Sequence, residues 1–407
     1  MLNLSVMGVV HTNGRKAEET AGPSSAWRDV SFLAGELPHR GGITENERRA
    51  AEYLDRRFKE YTPLVQIEDF YSTDAYPYVF AMYYAEFLFV GLIAILWPWI
   101  ALIYGLVVFL LYMAEFTGYS SMGRFLPHYE TQNVTARFPC AKADRLIVVT
   151  ANYDSPKAYP WTAPGAVRKL RLRHLLLVAA MVIVLVSCGA QGLSVIGDEL
   201  PRFDLAARGI AVGVLLLGAA VLFNGARNAM FTPGANNNAS GCAVLLELAE
   251  RIKETPLAST EVLLVATGSK EMWLSGMRQL FRGLEADKKS LFFLNVTGVG
   301  AGQLRYVSGE GMLHVYGAGK TLMAAAQHEG PVHAARPIVW RGLPTDAAIP
   351  LARGYEAITV MATGPDDLPV AWNSDEDAPG KIDIDVLTRS TRFVEAILRR
   401  MDTGNAA

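Results

Sequence analysis

Long uncharged runs stand out in the first half of the chain. No residue is charged from Phe87 to Ala114, and the apolar stretch that begins at Tyr78 is long enough for two short helices. Trp97-Pro98-Trp99 divides this stretch, and proline breaks a helix whereas tryptophan favours a membrane interface. We therefore expect two spans here, Tyr78–Leu96 and Ile100–Ala114.

Two further uncharged runs, 174–197 and 209–226, are each long enough to cross a bilayer. The pattern thus predicts two transmembrane helical hairpins, at 78–117 and 174–226, or about four spans. Both hairpins interrupt the more polar part of the chain rather than flank it. Because we expect the strands on either side to share one sheet, each insertion must contain an even number of spans. This requirement favours a break at Trp-Pro-Trp over one long tilted helix.

Short β-branched segments before, between and after the hairpins indicate strands. They predict an α/β domain made of three parts of the chain, 26–77, 118–173 and 227–403, behind a flexible lead at 1–25. The clearest strands are Leu64 to Phe70, Leu146 to Thr150, Glu261 to Ala266 and Leu291 to Val296.

Six short motifs follow in a fixed order, most of them at the end of a predicted strand or the start of a helix. In chain order they are Ala151–Ser155, Pro233–Gly241, Thr267–Gly276, Asn295–Gly298, Thr345–Ala347 and Trp372–Asp377.

Together these motifs resemble those of the dinuclear-zinc aminopeptidases of metallopeptidase clan MH. That fold also occurs in glutaminyl cyclases and in the peptidase-like domains of transferrin receptor and nicastrin. One such match would be weak evidence, whereas six in order are specific. The resemblance implies a three-layer α/β domain with a mixed central sheet, interrupted here by the two hairpins. A fold does not by itself imply an activity.

Carried over residue by residue, the resemblance puts poor zinc ligands at nearly every metal position. Only the second Glu of the family's catalytic pair is present, as Glu271. The first zinc-ligand His corresponds to Asn152, the bridging Asp to Asn237, the general-base Glu to Lys270, a terminal Asp to Thr297 and the last His to Asn373.

The chemistry of these replacements predicts loss of the metals. Zinc is bound in proteins by imidazole, thiolate and carboxylate groups, not by carboxamides or a threonine hydroxyl. A lysine such as Lys270 acts as a base near neutral pH only if burial lowers its pKa by several units. We therefore expect no cofactor and a non-catalytic role, as a scaffold, a partner-binding subunit or a ligand-recognition module of a membrane assembly.

Two other functional classes stay open at this point. The first is an active membrane metallopeptidase with an atypical or single-metal zinc site around Asp154, Glu271, Asp346 and the acidic cluster 375–377. The second is a small transporter or channel with a regulatory domain, although the spans contain few polar groups apart from Glu86. Glu86 lies inside the first span, so it is either a functional or assembly site or a carboxylate close enough to the interface to be solvated.

The asparagine-rich loop also has two interpretations. Asn236, Asn237 and Asn238 are typical of turns and helix caps. Alternatively, the degenerate pocket binds a polar ligand such as a peptide end. We expect the acids at 346 and 375–377 to be solvated. The residues of that possible ligand pocket are Asp154, Asn236, Asn238, Glu271 and Asp346.

Charge sets the expected location. Basic residues at 168–173 precede the third span, and Arg227 follows the fourth, so the positive-inside rule puts the domain in the cytoplasm. The first 26 residues lack a signal-peptide pattern, and three cysteines form no even disulfide framework. We expect a bacterial inner membrane protein. A net charge of −2 gives no basic footprint for nucleic acid, so the expected partners are the lipid bilayer and other proteins.

Overall fold

A computed structural model describes residues 24–163, 165–194, 203–284 and 287–404. Most of the lead predicted at 1–25 therefore lies outside the described residues. The helices are α1 Ser25–Ser31, α2 Glu45–Lys59, α3 Tyr76–Ile93, α4 Pro98–Glu115, α5 Leu170–Ser194, α6 Phe203–Asn228, α7 Ser240–Glu254, α8 Ser275–Gly283, α9 Lys320–Glu329, α10 Ala348–Ala352 and α11 Ile384–Asp402. The strands are β1 Val65–Ser72, β2 Tyr129–Phe138, β3 Arg145–Asn152, β4 Thr260–Thr267, β5 Leu291–Val296, β6 Gln303–Glu310, β7 Tyr316–Gly317, β8 Arg336–Trp340 and β9 Glu356–Thr363.

The strands form one mixed sheet in the order β1-β2-β4-β3-β5-β9-β6-β7, with β8 paired to β6. Its centre is parallel, because β3 pairs in parallel with β4 and β5, and β5 pairs in parallel with β9. Antiparallel strands β2 and β6 flank this centre. The α/β class and the mixed central sheet predicted from the sequence are confirmed.

Apolar side chains on successive residues of the central strands point to opposite faces of the sheet. Ile147 and Val149 of β3 enter a core with α1, α2, α7 and α11, whereas Val148 enters a second core with α8 and α10. Both faces are therefore covered by helices, which gives three layers. It also explains why the central strands have almost uninterrupted apolar sequences instead of alternating ones.

Four helices, α3 to α6, are long and apolar enough to cross a membrane. Pro98 occupies the first turn of α4, where its missing N–H has no helical partner to lose, and Trp97 immediately precedes it. The predicted break at Trp-Pro-Trp is therefore present. Inward-facing residues of the four helices form one apolar cluster, whereas many outward-facing ones are more than half exposed, among them Leu96, Ile103, Leu110, Val186, Ile210 and Leu217.

The sheet continues across both helical insertions. β1 and β2 pair along their full length, from Val65 opposite Ala136 to Ser72 opposite Tyr129, although α3 and α4 lie between them in the chain. β3 and β4 likewise pair in parallel from Arg145 to Asn152, with α5 and α6 inserted between them. The helices therefore extend from a domain whose pairing pattern they leave intact.

Candidate metal centre at the carboxyl edge of the sheet

The mapped ligand positions lie at the carboxyl ends of the parallel strands, where the loops of an open α/β sheet form its crevice. Asn152 is the last residue of β3, Lys270 and Glu271 follow β4, and Thr297 follows β5. Two further loops reach this edge: one enters α7 and carries the asparagines at 236–238, and the other follows β9 and carries Asn373.

Buried carboxamides bond to one another at this edge. The Asn237 Nδ2 donates to Asn373 Oδ1 over 2.8 Å, and the Asn238 Nδ2 donates to Asn152 Oδ1 over 3.2 Å. The Asn152 Nδ2 in turn donates to the Asp154 carboxylate over 3.1 Å. We call Asn152, Asn236, Asn237, Asn238 and Asn373 the amide network; all five are at most 3% exposed. Three of the mapped metal ligands thus take part in two amide–amide hydrogen bonds, one on Asn237 and one on the adjacent Asn238.

Asn238 uses both ends of its side chain. Its Oδ1 accepts the backbone N–H groups of Gly241 (3.1 Å) and Gly298 (3.0 Å), and its Nδ2 also reaches the Val296 carbonyl oxygen at 3.0 Å. A side chain at position 241 would put its Cβ 2.5 Å from the Asn238 amide, so only glycine fits there. Asn238 therefore joins the α7 loop to the end of β5.

Asn236 has a similar role at the next loop. Its Oδ1 accepts the Gly300 N–H at 2.8 Å, and its Nδ2 donates to the Val370 carbonyl at 3.1 Å. Of the two interpretations of the asparagine loop, this geometry favours the structural one, because Asn236 and Asn238 both bond to backbone groups of neighbouring loops. Thr297 joins the cluster only through its neighbour Gly298.

Lys270 and Glu271 form a buried ion pair, with 2.7 Å between Lys270 Nζ and Glu271 Oε1. Burial alone would lower the pKa of Lys270, but the carboxylates of Glu271, Asp154 and Asp346 outweigh burial, and the pKa is raised. Burial, with the nearby carboxylates of Glu271 and Glu47, raises the pKa of Asp154 well above its usual value. The general-base position thus holds an ammonium group that stays protonated at neutral pH.

The prediction that Asp346 and Asp377 are solvated is wrong, although Asp375 and Glu376 are exposed as expected. Asp346 accepts a hydrogen bond of 2.7 Å from the Thr267 hydroxyl. Asp377 accepts the backbone N–H groups of Asn236 and Asn237 at 2.6 and 2.9 Å. Burial raises the pKa of each aspartate to about 6. Both acids look like solvated loop residues in the sequence, because the groups that donate hydrogen bonds to them come from distant segments of the chain.

Two buried charged residues hold these loops in place. Arg40 donates to the carbonyls of Tyr153, Pro233 and Gly234 over 2.8–2.9 Å, so it ties the β3 loop to the loop that enters α7. Glu47 accepts the backbone N–H of Ser269 at 2.8 Å in the loop after β4. Burial lowers the pKa of Arg40 to about 10 and raises that of Glu47 to about 7. Neither role has a signature in the sequence beyond the position of both residues at the start of α2.

Little space remains beside the ion pair. The cavity that Lys270 and Glu271 line has a volume of about 10 Å³, and the rings of Tyr76 and Trp273 form its wall. A single water needs about 10–15 Å³ measured in this way. Of the five residues predicted to form a ligand pocket, Glu271 borders this cavity. The cavity is too small for a peptide end.

Trp273 connects this loop to the apolar helices. Its ring packs against Phe80 of α3 at 4.6 Å between centroids and against Phe116 at 5.4 Å. Its indole N–H donates to the carbonyl of Glu115, the last residue of α4, over 2.9 Å. Aromatic pairs of this geometry add to the stability that burial provides. The β4 loop is thereby fixed to both helices of the first pair.

The donor chemistry does not fit a dinuclear zinc centre. Among the mapped positions Glu271 is the one carboxylate, and it is already paired with the ammonium of Lys270. In the described part of the chain, no group of three or more His, Cys, Asp or Glu side chains could hold a metal ion. The two zinc ions of such a centre would also bring four positive charges next to the lysine, and like charges repel.

Glu86 lies away from this edge, in the middle of α3. Its Oε2 accepts a hydrogen bond from the hydroxyl of Tyr104 on α4. The carboxylate is thus paired across the first helical pair, as an acid among apolar helices requires.

Comparison with solved structures shows the same fold in zinc aminopeptidases. An aminopeptidase from Aneurinibacillus sp. strain AM-1 has a TM-score of 0.56 at 13% identity, over 92% of this chain and 93% of that chain. The zinc aminopeptidase BSAP from Bacillus subtilis has a TM-score of 0.56 at 13% identity, over 93% and 94%. The glutaminyl cyclase of Tannerella forsythia has a TM-score of 0.51 at 13% identity, over 92% and 97%.

The fold thus defines the class, a zinc-aminopeptidase-like α/β domain. Residues 220–398 match the model of Peptidase family M28, which agrees with the family resemblance of the motifs. The matched segment includes Asn237, Lys270, Glu271, Thr297 and Asn373. No curated protein matches the chain.

Proposed function

We propose that this protein is a membrane-embedded relative of the zinc aminopeptidases that does not hydrolyse peptides and acts as a scaffold or partner-binding subunit of a membrane assembly. The observation that carries the proposal is the Lys270–Glu271 ion pair beside the amide network, at the positions where the family binds its metals. A general base must accept a proton from water near neutral pH. An ammonium group whose pKa is raised is already protonated.

The exposed apolar surface of α3 to α6 supports the membrane part of the proposal. Side chains such as Leu96, Ile103, Val186 and Leu217 are more than half exposed. A soluble protein rarely leaves so large an apolar surface uncovered, whereas a lipid environment stabilises it. The helices come in two pairs, and each pair returns the chain to the sheet it left.

We further propose that the domain faces the cytoplasm of a bacterial inner membrane. The support is the basic segment at 168–173, immediately before α5, together with Arg227 near the end of α6. A reporter fused after residue 407 should be cytoplasmic, and one inserted near residue 199 should lie on the other side. Two reporters on the same side would contradict a spanning α5–α6 pair.

Packing between the degenerate centre and the helices supports a scaffold role. Trp273 follows the ion pair by two residues and contacts Phe80 and Phe116 near the domain ends of α3 and α4. Such packing transmits a fixed orientation from the domain to the helices. A protein partner would then bind a surface on which the domain and the helices keep a fixed relative orientation.

Metal analysis of the purified protein tests the proposal most directly. Protein purified in detergent without chelator should contain well under one zinc per chain, show no aminopeptidase activity, and bring the same co-purifying chains in native and Glu271→Ala forms. Two zinc ions per chain with hydrolysis of aminoacyl substrates would contradict it. Loss of the co-purifying chains in Glu271→Ala alone, with the fold intact, would show that the centre itself contacts a partner.

A further inference from the structure

A second polar cavity, of about 530 Å³, lies where the first helical pair meets the domain. Its lining comes from the end of β1, the segment after α4, helix α8 and the turn after α10. The charged and titratable side chains in the lining are Arg124, His128, Arg278, Arg282, Arg353 and Glu115. Four guanidinium groups thus face one carboxylate. We call this the arginine cavity.

The arginines of this cavity lack counter-ions. Across residues 24–163, 165–194, 203–284 and 287–404, none of the four forms an ion pair with a carboxylate. Arg353 instead stacks on the rings of Tyr119 and Phe281, and its Nε lies 3.4 Å from the Thr117 carbonyl. The Oε1 atom of Glu115 accepts hydrogen bonds from the hydroxyl of Tyr83 and the backbone N–H of Ser121.

Arg278 carries an unmet hydrogen-bonding group. Its Nη2 donates to the Ser275 hydroxyl over 2.8 Å, but its Nη1 is buried and has no partner among the described residues. A buried guanidinium nitrogen without an acceptor is destabilising, because it loses its hydrogen bonds to water and forms none within the protein. Burial also lowers the pKa of Arg278 to about 10, although the nearby carboxylate of Glu115 acts in the opposite direction.

Among the described residues, Glu115 Oε2 in the same lining is also buried without a partner, but the excess of guanidinium groups favours an anion with several acceptor oxygens. Guanidinium groups bind phosphate and carboxylate through paired N–H groups, and clustered arginines favour phosphate because it has more oxygens and more charge. The volume lies within the range of small-molecule sites, about 300–1,000 Å³.

The location indicates where such an anion would come from. The cavity touches Thr73 and Val79 at the start of α3 and the segment after Glu115 at the end of α4. If these helices span a membrane, as proposed above, this is the level of the lipid headgroups. Basic pockets at that level bind anionic headgroups.

We propose that the arginine cavity is a binding site for a phosphate-bearing anion, supplied either by the headgroup of an anionic phospholipid or by free phosphate. The phosphate site itself stands without the proposed loss of catalysis, since it shares no charged residue with the degenerate centre. The lipid source alone depends on membrane embedding.

Thermal unfolding of the full chain in detergent tests the site with three probes. They are inorganic phosphate, short-chain phosphatidic acid and short-chain phosphatidylcholine. A ligand that binds only the folded state raises the melting temperature, and saturation should shift it by about 4 °C or more. A shift with phosphatidic acid but not with phosphate identifies a lipid site, and a shift with both identifies a site for phosphate itself.

The double variant Arg124→Gln, Arg282→Gln removes two exposed charges from the lining with little risk to folding. It should raise the dissociation constant of the phosphate-bearing probe at least about tenfold, as expected for loss of a charge-assisted hydrogen bond. Arg278→Gln should weaken it further if the variant folds. Arg336→Gln, at an exposed arginine on β8 outside the lining, is the matched control and should bind like the native protein.

Three results would overturn the proposal. One is the absence of any shift with phosphate or phosphatidic acid. Another is an equal shift with phosphatidylcholine, which carries no net negative charge. The third is binding by the double variant that equals binding by the native protein and by Arg336→Gln.

Discussion

The degenerate centre and the arginine cavity share Trp273 as part of their walls, yet their polar groups differ in one respect. At the carboxyl edge of the sheet, the buried amides bond to one another and to neighbouring loops, and Lys270 pairs with Glu271, although the uncharged Ser155 hydroxyl and one oxygen of Asp346 have no partner among the described residues. In the arginine cavity, four cations face one carboxylate and the Arg278 Nη1 has no acceptor. Polar groups that satisfy each other stabilise a fold, whereas polar groups left unsatisfied indicate a place for a ligand. The proposed ligand site and the mapped metal positions are therefore different places.

The strongest challenge to this contrast is to remove Asn238. Asn238→Ala leaves the N–H groups of Gly241 and Gly298 without an acceptor and the Val296 carbonyl without its donor. We expect the free energy of unfolding to fall by about 4 kcal/mol, from several unsatisfied groups at about 1–3 kcal/mol each. Asn228→Ala, at an exposed asparagine near the end of α6, should change stability by less than about 0.5 kcal/mol. Similar effects in both variants would show that the amide network is not structural.

Removing Lys270 tests the ion pair. Lys270→Met leaves the carboxylates of Glu271, Asp154 and Asp346 buried without a cation, and we expect a loss of about 3 kcal/mol at neutral pH. Lys320→Met, at an exposed lysine on α9, is the control. Thermal unfolding in detergent measures both.

The loss should depend on pH. The pKa of Asp346 is about 6 in the folded protein against 3.8 for a free side chain. A carboxyl with a raised pKa destabilises the fold only where it must ionise, so its penalty is absent below the unfolded pKa, grows between the unfolded and the folded pKa, and is complete above the folded one. The ammonium of Lys270 lowers the pKa of Asp346, so its removal should raise that pKa further. The deficit of Lys270→Met should therefore be small below about pH 6, where Asp346 is protonated in both proteins, and should grow as pH rises above about 6. A deficit that is independent of pH would indicate lost packing instead.

Restoring the metal ligands tests whether the centre differs from its relatives only by those residues. The variant Asn152→His, Asn237→Asp, Lys270→Glu, Thr297→Asp, Asn373→His should bind zinc, and zinc at a hundred times its dissociation constant should add about 2.7 kcal/mol. The native protein should show no such gain. Adding Glu271→Ala to the restored variant should weaken zinc binding. If zinc stabilises the native chain equally, the mapped positions do not define the metal site.

The smallest expected effect concerns Glu86. Glu86→Gln keeps an acceptor for the Tyr104 hydroxyl and removes the charge. Hydrogen bonds between membrane helices contribute about 0.6 kcal/mol on average, so stability should change by no more than about that amount. A larger change, or loss of co-purifying chains, would give Glu86 a role in assembly.

Much of the fold follows from local sequence. The central strands are short, apolar and followed by motifs, and each of the four apolar helices has at least 18 residues of high mean hydropathy. Proline at position 98 separates α3 from α4 because a ring nitrogen without a hydrogen cannot continue a helix. These features depend on residues close together in the chain.

The chemistry of the sites depends on residues far apart in the chain. Asp377 is buried because backbone N–H groups some 140 residues earlier point at it. Arg40 is held by carbonyls from two loops that lie about 110 and 190 residues further along the chain. The arginine cavity combines Arg124, Arg353 and the pair Arg278 and Arg282 of α8, which come from three separate segments of the chain. Only the fold brings such groups together, so no local pattern predicts them.

The insertion of helices into the sheet also sets an order of events during synthesis. β4 lies between β2 and β3, so it alone joins the early strands to the rest of the sheet, and it follows all four apolar helices in the chain. Until residues 260–267 leave the ribosome, β2 has an open edge and β3 has no partner. The helices must therefore fold before the sheet is complete. During that time an unpaired strand edge, the usual starting point of aggregation, stays exposed beside them. The domain and its four helices cannot mature separately, and a defect in helix insertion would show itself as a misfolded sheet.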